Sequence, residues 1–269
     1  MLIKDKQGIW VQETQKENIH YPETDYDFTF QIEDSSFWFK HRNEIILATM
    51  KKIPFAKNFA DVGGGNGLQV KFLSENLPGK SIFLVEPAYR GCLNARKRNV
   101  EEVYNIFARD FSFTDFNVNG IGLFDVVEHI EDDVKFLKEI SSMVEKGTRI
   151  YLTVPAYNWL WSDVDDYSKH FRRYNGKMIF QLAKNAGLKI LFSAKYFFYL
   201  PFFSFPLRSV PYLFSRKRTD IVILPQMLEN HQTGKISGKV FEFFNKTELS
   251  FFTRRKISFG ASCMAVFEV

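Results

Sequence analysis

Asn58-Phe59-Ala60-Asp61-Val62-Gly63-Gly64-Gly65-Asn66-Gly67-Leu68-Gln69-Val70-Lys71-Phe72 passes from a short apolar run, through a cluster of glycines, into a second apolar segment. The first five residues read as a buried parallel strand, since so short an apolar run closed by glycines suits a strand covered on both faces. Gly63, Gly65 and Gly67 then make a turn in which the backbone can take positive φ and approach a ligand closely. Residues 67–72 open a helix whose free N–H groups point back at that turn. Ser81-Ile82-Phe83-Leu84-Val85 is a second strand, and Glu86 stands at its C-terminal end. In an open α/β sheet a carboxylate at that place accepts both hydroxyls of a ribose. The expected ligand therefore contains a nucleoside.

The glycine spacing separates two kinds of nucleoside pocket. A dinucleotide fingerprint needs Gly-x-Gly-x-x-Gly, and counting from Gly63 the last position falls on Leu68. An NAD-dependent oxidoreductase is disfavoured on that ground. Gly63-x-Gly65-x-Gly67, preceded by Asp61, instead resembles class I S-adenosylmethionine (SAM)-dependent methyltransferases. SAM carries an α-amino acid and a sulfonium where a dinucleotide carries pyrophosphate. An acid such as Asp61 favours the ammonium, directly or through water. The resemblance implies SAM as cofactor, with Asp61, Gly63, Gly65, Gly67 and Glu86 framing it.

The chain has 269 residues, enough for one large α/β domain with additions. Cys92 and Cys263 are far apart and offer neither metal spacing nor a disulfide framework. No signal peptide is read at the N-terminus, so the expected location is cytoplasmic. A net charge of +5 permits an anionic substrate, a nucleic acid or a membrane surface and requires none of them.

Strands and helices alternate beyond the glycine turn, which argues for a parallel sheet with right-handed crossovers. Asp34-Ser35-Ser36 caps a helix from about Phe37 to Lys52. Helix 88–98 follows Glu86, a short strand is expected at 104–108, and another at 121–125. A helix over 131–144 leads to a strand at 148–154, stopped by Pro155. Met178, Ile179, Leu182, Ala183 and Ala186 give clean helical spacing, closed by Gly187. Strand 188–192 follows, and residues 256–269 read as the last strand. About 55 residues separate the final two strands, too many for a plain loop, and a helix is expected near 238–252. The expected fold is α/β: a seven-stranded Rossmann-like SAM-methyltransferase sheet with helices on both faces. A cap is inserted between strands six and seven. From the family comes the order 3-2-1-4-5-7-6 with the seventh strand antiparallel. The chain divides into an N-terminal arm (1–33), a methyltransferase core (34–197), an aromatic-rich cap (198–253) and the final core strand (254–269).

Asp110 and Phe111 follow the third strand. There a carboxylate can accept from an adenine amino group and a Phe ring can pack on the base. Phe124-Asp125-Val126-Val127-Glu128-His129 resembles the segment after strand four in the branch containing ubiquinone-biosynthesis methyltransferases. Asp125 is expected beside the sulfonium, with Glu128 and His129 facing the acceptor. An Asp that opens strand four in that branch is Asn119 here. His129 has two functional readings. As a base or orienting group its near-neutral pKa suits proton removal from a hydroxyl or amine. Alternatively Asp125 or Glu128, with His129 and the distant His170, binds a divalent metal, as in some small-RNA 2′-O-methyltransferases and ubiquinone O-methyltransferases. A mixed carboxylate–imidazole set is reasonable for such an ion. A helix-capping role for Glu128-His129 also stays open. The adopted assignment is His129, Glu128 and His170 as catalytic residues, with no metal.

Val154-Pro155-Ala156, Leu160-Trp161-Ser162, His170-x-Arg172-Arg173-Tyr174 and Phe259-Gly260-Ala261-Ser262 resemble a bacterial subgroup whose members commonly accompany glycosyltransferases. The resemblance covers most of 34–210 and 255–269 and hints at saccharide or lipid-linked saccharide acceptors. Trp161, His170, Arg172, Arg173 and Tyr174 suit such an acceptor, since sugars stack on aromatic faces and phosphates favour Arg forks. The aromatic run 196–207 is too short to span a bilayer, which takes about 20 residues. It reads as a pocket cap, or as an interfacial segment backed by Arg208 and Arg216-Lys217-Arg218, making peripheral membrane contact through 196–218. The expected function is methyl transfer, to oxygen, on a small-molecule or lipid-linked saccharide. An RNA methyltransferase is the rival among enzymes, disfavoured because basic residues are not gathered in one stripe. A non-catalytic SAM-binding regulator is the rival of another class.

Overall fold

The computed structural model describes residues 2–12, 23–214 and 235–269. A short hairpin, β1 (Leu2–Lys4) and β2 (Trp10–Gln12), precedes helix α1 (Glu23–Glu33) and helix α2 (Phe37–Lys52). Ser36 caps α2, its hydroxyl accepting from the Trp38 N–H. The alternating part follows: β3 (Asn58–Val62), α3 (Leu68–Asn76), β4 (Ser81–Val85), α4 (Tyr89–Lys97) and β5 (Val103–Asn105). After these come β6 (Val118–Phe124), α5 (Asp133–Ser142), β7 (Arg149–Pro155), the short α6 (Asp163–Tyr167), α7 (Gly176–Ala186) and β8 (Lys189–Tyr196). Helices α8 (Leu200–Ser204) and α9 (Val210–Phe214), joined by a π-helical turn, lead to α10 (Lys235–Arg254) and β9 (Ser262–Glu268).

The sheet order is β1-β2-β5-β4-β3-β6-β7-β9-β8. From β5 to β8 this is the expected 3-2-1-4-5-7-6, and β9 is antiparallel to both neighbours. The expectation of seven strands is corrected to nine among the described residues. The β1–β2 hairpin adds itself in parallel to the β5 edge through Trp10 and Val11. Its brevity hid it, because two three-residue strands show no readable alternation.

Side chains leave the strands alternately to two apolar layers. Ile121, Leu123, Ile150 and Leu152 meet Leu137 and Ile140 of α5 and Ile179 and Leu182 of α7. Phe59, Leu84, Tyr151, Met264 and Val266 meet Ile45 and Ile46 of α2, Leu73 of α3 and Phe252 of α10. Each such residue contributes roughly 1.5–3 kcal/mol on burial, and the two layers fix the parallel strands with their C-terminal ends along one edge.

The aromatic run after β8 divides in two. Tyr196, Phe197 and Tyr199 are buried, whereas Phe202, Phe203 and Phe205 are exposed. Helix α10 packs on α2, with Phe37 and Phe241 stacked at 4.7 Å between ring centres. It is tied there by a buried pair, His41 Nε2 to Glu248 Oε2 at 2.6 Å. Glu248 also accepts the backbone N–H groups of Phe197 and Phe198, each at 2.7 Å. Segment 205–212 lies beside the loop after β7, through Trp159 against Phe205 and the Tyr212 hydroxyl donating to Asp166. Arg216-Lys217-Arg218 lie outside the described residues.

Candidate active site

The glycine turn joins β3 to α3. Gly63, Gly65 and Gly67 take φ of +70°, +56° and +72°, the left-handed region that an L side chain resists. A Cβ at Gly67 would stand 2.7 Å from that of Ala95, so helix α4 packs directly on the turn. A Cβ at Gly65 meets nothing within 4 Å. The turn is thus closed behind Gly67 and open in front of Gly65, which is the shape of a ligand cradle.

Glu86 follows β4, one residue beyond the Val62–Val85 pair. Its carboxylate accepts the Gly65 N–H at 2.8 Å, the Ala88 N–H at 2.8 Å and the Tyr26 hydroxyl at 3.2 Å. A carboxylate has about four acceptor sites, and three are used. Binding a ribose diol here therefore exchanges the Tyr26 hydroxyl for a ligand hydroxyl. Burial raises the pKa of Glu86, and the three hydrogen bonds pull it back.

Asp61 is fully buried beneath Gly64, and neither carboxylate oxygen has a hydrogen-bond partner among the described residues. Burial pushes its pKa up to about 7, with the Arg42 charge opposing and Glu86 adding. An orphaned acid under the turn suits a cationic ligand nearby, whose field would ionise it through a low-dielectric path. The open front of Gly65, the engaged Glu86 and the orphaned Asp61 fit the ribose and ammonium ends of SAM.

Asp110 ends a single helical turn after β5 and is exposed, 3.7 Å from Arg109. Phe111 is corrected. Its ring is buried among Tyr104, Phe113 and Phe116, stacked on Phe116 at 5.0 Å, and is not available to an adenine. The polar Asp110 turns out to solvent, so the next side chain turns inward to the core.

Beyond β6, Asp125 takes φ +55°, a strained position tolerated better by Asp than by most residues. One oxygen accepts the Thr153 hydroxyl at 3.1 Å and the other pairs with Arg42. The Arg42 guanidinium stacks over Trp38 at 4.7 Å and Phe39 at 5.1 Å. Arg42 thus brings α2 into the site, a role not assigned from the sequence.

Glu128 is buried, and its Oε2 has no hydrogen-bond partner among the described residues. Burial, then Asp125, pushes its pKa well above the carboxylate range. The His129 and His170 rings meet edge to face at 4.7 Å. Burial, then the neighbouring His170, lowers the pKa of His129 to about 4, so this imidazole is neutral at pH 7. Nδ1 of His170 bonds Asp165 at 2.9 Å. With Nδ1 so engaged, Nε2 is the ring nitrogen left for another partner. Asp165 is itself held by a fork from Arg173, at 2.7 and 2.9 Å. Burial opposes its ionisation, but His170 and Arg173 outweigh it and hold its pKa below the usual value. One carboxylate or imidazole atom from each of Glu128, His129 and His170 lies within 4.8 Å of the other two. The structure brings together the three residues assigned to chemistry although more than forty positions separate the first two from the third.

Of the suggested acceptor residues, Tyr174 is buried, its hydroxyl donating to Asp133 at 2.7 Å. Arg172 pairs with Asp133 at 2.9 Å and donates to the Ile130 and Glu131 carbonyls. Arg173 serves Asp165. These three stabilise the loop rather than present free groups to an acceptor. The Trp161 indole donates to Asp166 at 3.0 Å.

A methyltransferase-domain family model matches residues 36–192, more than half of the chain. The chain belongs to the methyltransferase-domain family. It is a methyltransferase with SAM as its methyl donor. Three solved structures share the fold at low identity. One is a chain of the complex between the Haloferax volcanii Trm112 methyltransferase activator and a methyltransferase. It is 15% identical, has a TM-score of 0.55, and 91% of this chain and 95% of that chain are covered. A SAM-dependent methyltransferase of Thermotoga maritima is 14% identical with a TM-score of 0.52, covering 91% and 95%. Phosphoethanolamine N-methyltransferase 2 of Haemonchus contortus, solved with SAM, is 16% identical with a TM-score of 0.54. There 93% of this chain matches 57% of the longer enzyme. No curated protein matches the chain in sequence. Among the described residues no helix is long and apolar enough to cross a membrane.

Proposed function

We propose that this methyltransferase acts on an oxygen of a small-molecule or lipid-linked saccharide, within the ubiquinone-biosynthesis-like branch. The observation that carries the oxygen reading is the neutral His129 imidazole facing His170 beside Asp125 and Glu128, at the same sheet edge as Glu86. SAM supplies a methyl group already activated by its sulfonium, so alignment provides much of the rate. Asp61, the glycine turn and Glu86 hold the donor, with Asp110 reaching the adenine amino group. His129 accepts a hydrogen bond from the acceptor hydroxyl and orients it. As the oxygen–carbon bond forms and the carbon–sulfur bond breaks, that hydroxyl proton becomes strongly acidic. A base with a pKa of about 4 is sufficient to take it. His170, fixed by Asp165, keeps the imidazole pair in register.

A second reading gives Glu128, His129 and His170 to a divalent cation. It is favoured by the orphaned Glu128 Oε2 and by the clustering of the three ligand atoms. A neutral imidazole such as that of His129 is a ready ligand, and a cation there would lower the pKa of an acceptor hydroxyl. Nickel or manganese titration of the metal-stripped protein, followed by calorimetry, separates the readings. Binding lost in His170→Ala supports the metal, and no binding at all removes it.

The acceptor is tested with methyl-labelled SAM against sugar nucleotides, lipid-linked saccharides, amines and RNA. Label recovered as an alkali-stable methyl ether on a saccharide is expected. Label on an amine or on RNA, with none on saccharides, contradicts the proposal.

A further inference from the structure

We infer that the aromatic outer face of α8, α9 and α10 docks on an anionic lipid bilayer. This deepens the lipid-linked reading above and rests on it for its functional sense. Phe202, Leu207, Leu213, Phe214 and Phe243 each expose two thirds or more of their surface. Single exposed apolar residues are ordinary, but a connected set marks an interaction site. Phe202 belongs to such a set, and Phe243 adjoins Phe244 at 6.1 Å. Phe202 meets Phe259 at 5.7 Å, Phe259 meets Tyr157 at 6.0 Å, Tyr157 stacks on Trp159 at 5.6 Å, and Trp159 meets Phe205 at 5.3 Å. Phe203, beside Phe202, reaches Phe241 of α10 at 6.0 Å. The face is held from behind by Tyr199, which stacks between Phe241 and Phe244, and by the His41–Glu248 pair.

Charge names the occupant. Residues 198–256 contain ten Lys and Arg against four Asp and Glu, a net +6. Subtracting these from the chain's 36 and 31 leaves 26 and 27, a net −1. All of the protein's excess positive charge therefore lies in the segment that carries the aromatic face. Of the four acids, Glu248 is buried on His41 and Glu242 is paired with Lys246 at 2.7 Å. Lys239, Arg254 and Arg255 are exposed. Aromatic rings settle at the headgroup level, and basic residues near an anionic leaflet strengthen binding. A second copy of the chain would bring like charge against like. Tyr157 and Trp159 sit in the loop after β7, on the edge that bears His129, so docking turns the acceptor side toward the bilayer.

Flotation of the full chain with vesicles tests this, using phosphatidylcholine alone and an equimolar mixture with phosphatidylglycerol. The wild type is expected to float with the mixed vesicles and not with the neutral ones. Phe202→Ser/Phe214→Ser and Arg254→Glu/Arg255→Glu should each cut the bound fraction about tenfold or more. Both pairs are exposed, so Tm and SAM affinity should stay at wild-type values. No flotation of the wild type overturns the inference. Equal flotation with neutral vesicles overturns its electrostatic half. Concentration-dependent dimerisation without flotation assigns the face to a second copy. A protein that floats yet binds no SAM keeps the docking face and sinks the donor site instead.

Discussion

Replacing Asp61 with Asn removes a buried acid that has no hydrogen-bond partner among the described residues. Its pKa rises from 3.8 to about 7 on folding, chiefly through burial. The native state then holds this proton more tightly than the unfolded chain, so stability falls as pH rises between those values. Three pKa units correspond to about 4 kcal/mol, of which about 2 is already lost at pH 5 and nearly all by pH 8. Asn does not titrate. The stability of Asp61→Asn minus that of wild type should therefore grow by about 2–3 kcal/mol from pH 5 to pH 8. Asn adds a constant cost for its own buried amide, which leaves the slope untouched. Urea denaturation of both proteins without ligand, at several pH values across this range, reads the difference directly. A difference that stays flat, or shrinks with rising pH, refutes the placement of a strained acid under the turn. The same variant should bind SAM more weakly, because the field that favours the ammonium is gone.

Two glycines of one turn should fail differently. Gly67→Ala drives a methyl into Ala95 at a positive φ and should cost about 2–4 kcal/mol, visible as a lower Tm. Gly65→Ala meets open space and should cost only about 1 kcal/mol, yet weaken SAM at least about tenfold by filling the cradle. Calorimetry that finds unimpaired SAM binding in Gly65→Ala contradicts the cradle. Asp165→Asn should lower kcat about ten- to a hundredfold with SAM affinity unchanged, since it fixes the orientation of His170 without touching donor or acceptor. An unchanged kcat removes that positioning role. Tyr26→Phe should leave Tm within about 1 kcal/mol equivalent and not weaken SAM, because its hydroxyl occupies a site on Glu86 that the ribose needs. A large loss of affinity would make Tyr26 a donor ligand instead.

What could be read from the residues follows the range of the forces involved. The strand–turn–helix at Asp61–Phe72 and the cap at Ser36 are local, set by apolar period, glycine and a capping hydroxyl, and they fall where spacing puts them. The place of Glu86 at the turn follows from strand length alone. Helix α1 was not legible, because its buried positions include Asp25 and Glu33, held by polar contacts that leave no apolar stripe. One turn of that helix delivers Tyr26 to Glu86 across sixty residues. Arg42 is hidden for the same reason, being a charged residue whose partner Asp125 lies on another element. Phe111 shows the opposite error. A ring beside an expected ligand reads as a base-stacking group, but three aromatic side chains close by gave it a drier place in the core.

Calorimetric titration with SAM and with S-adenosylhomocysteine, on wild type and on Glu86→Ala, tests the donor site most directly. Losing a charge-assisted contact to the ribose should cost about 3 kcal/mol, or roughly a hundredfold in Kd. The account predicts saturable binding of both ligands to the wild type and a loss of that size in a variant that still unfolds cooperatively. Failure of both ligands to bind folded wild type, or equal binding by the variant, would contradict it.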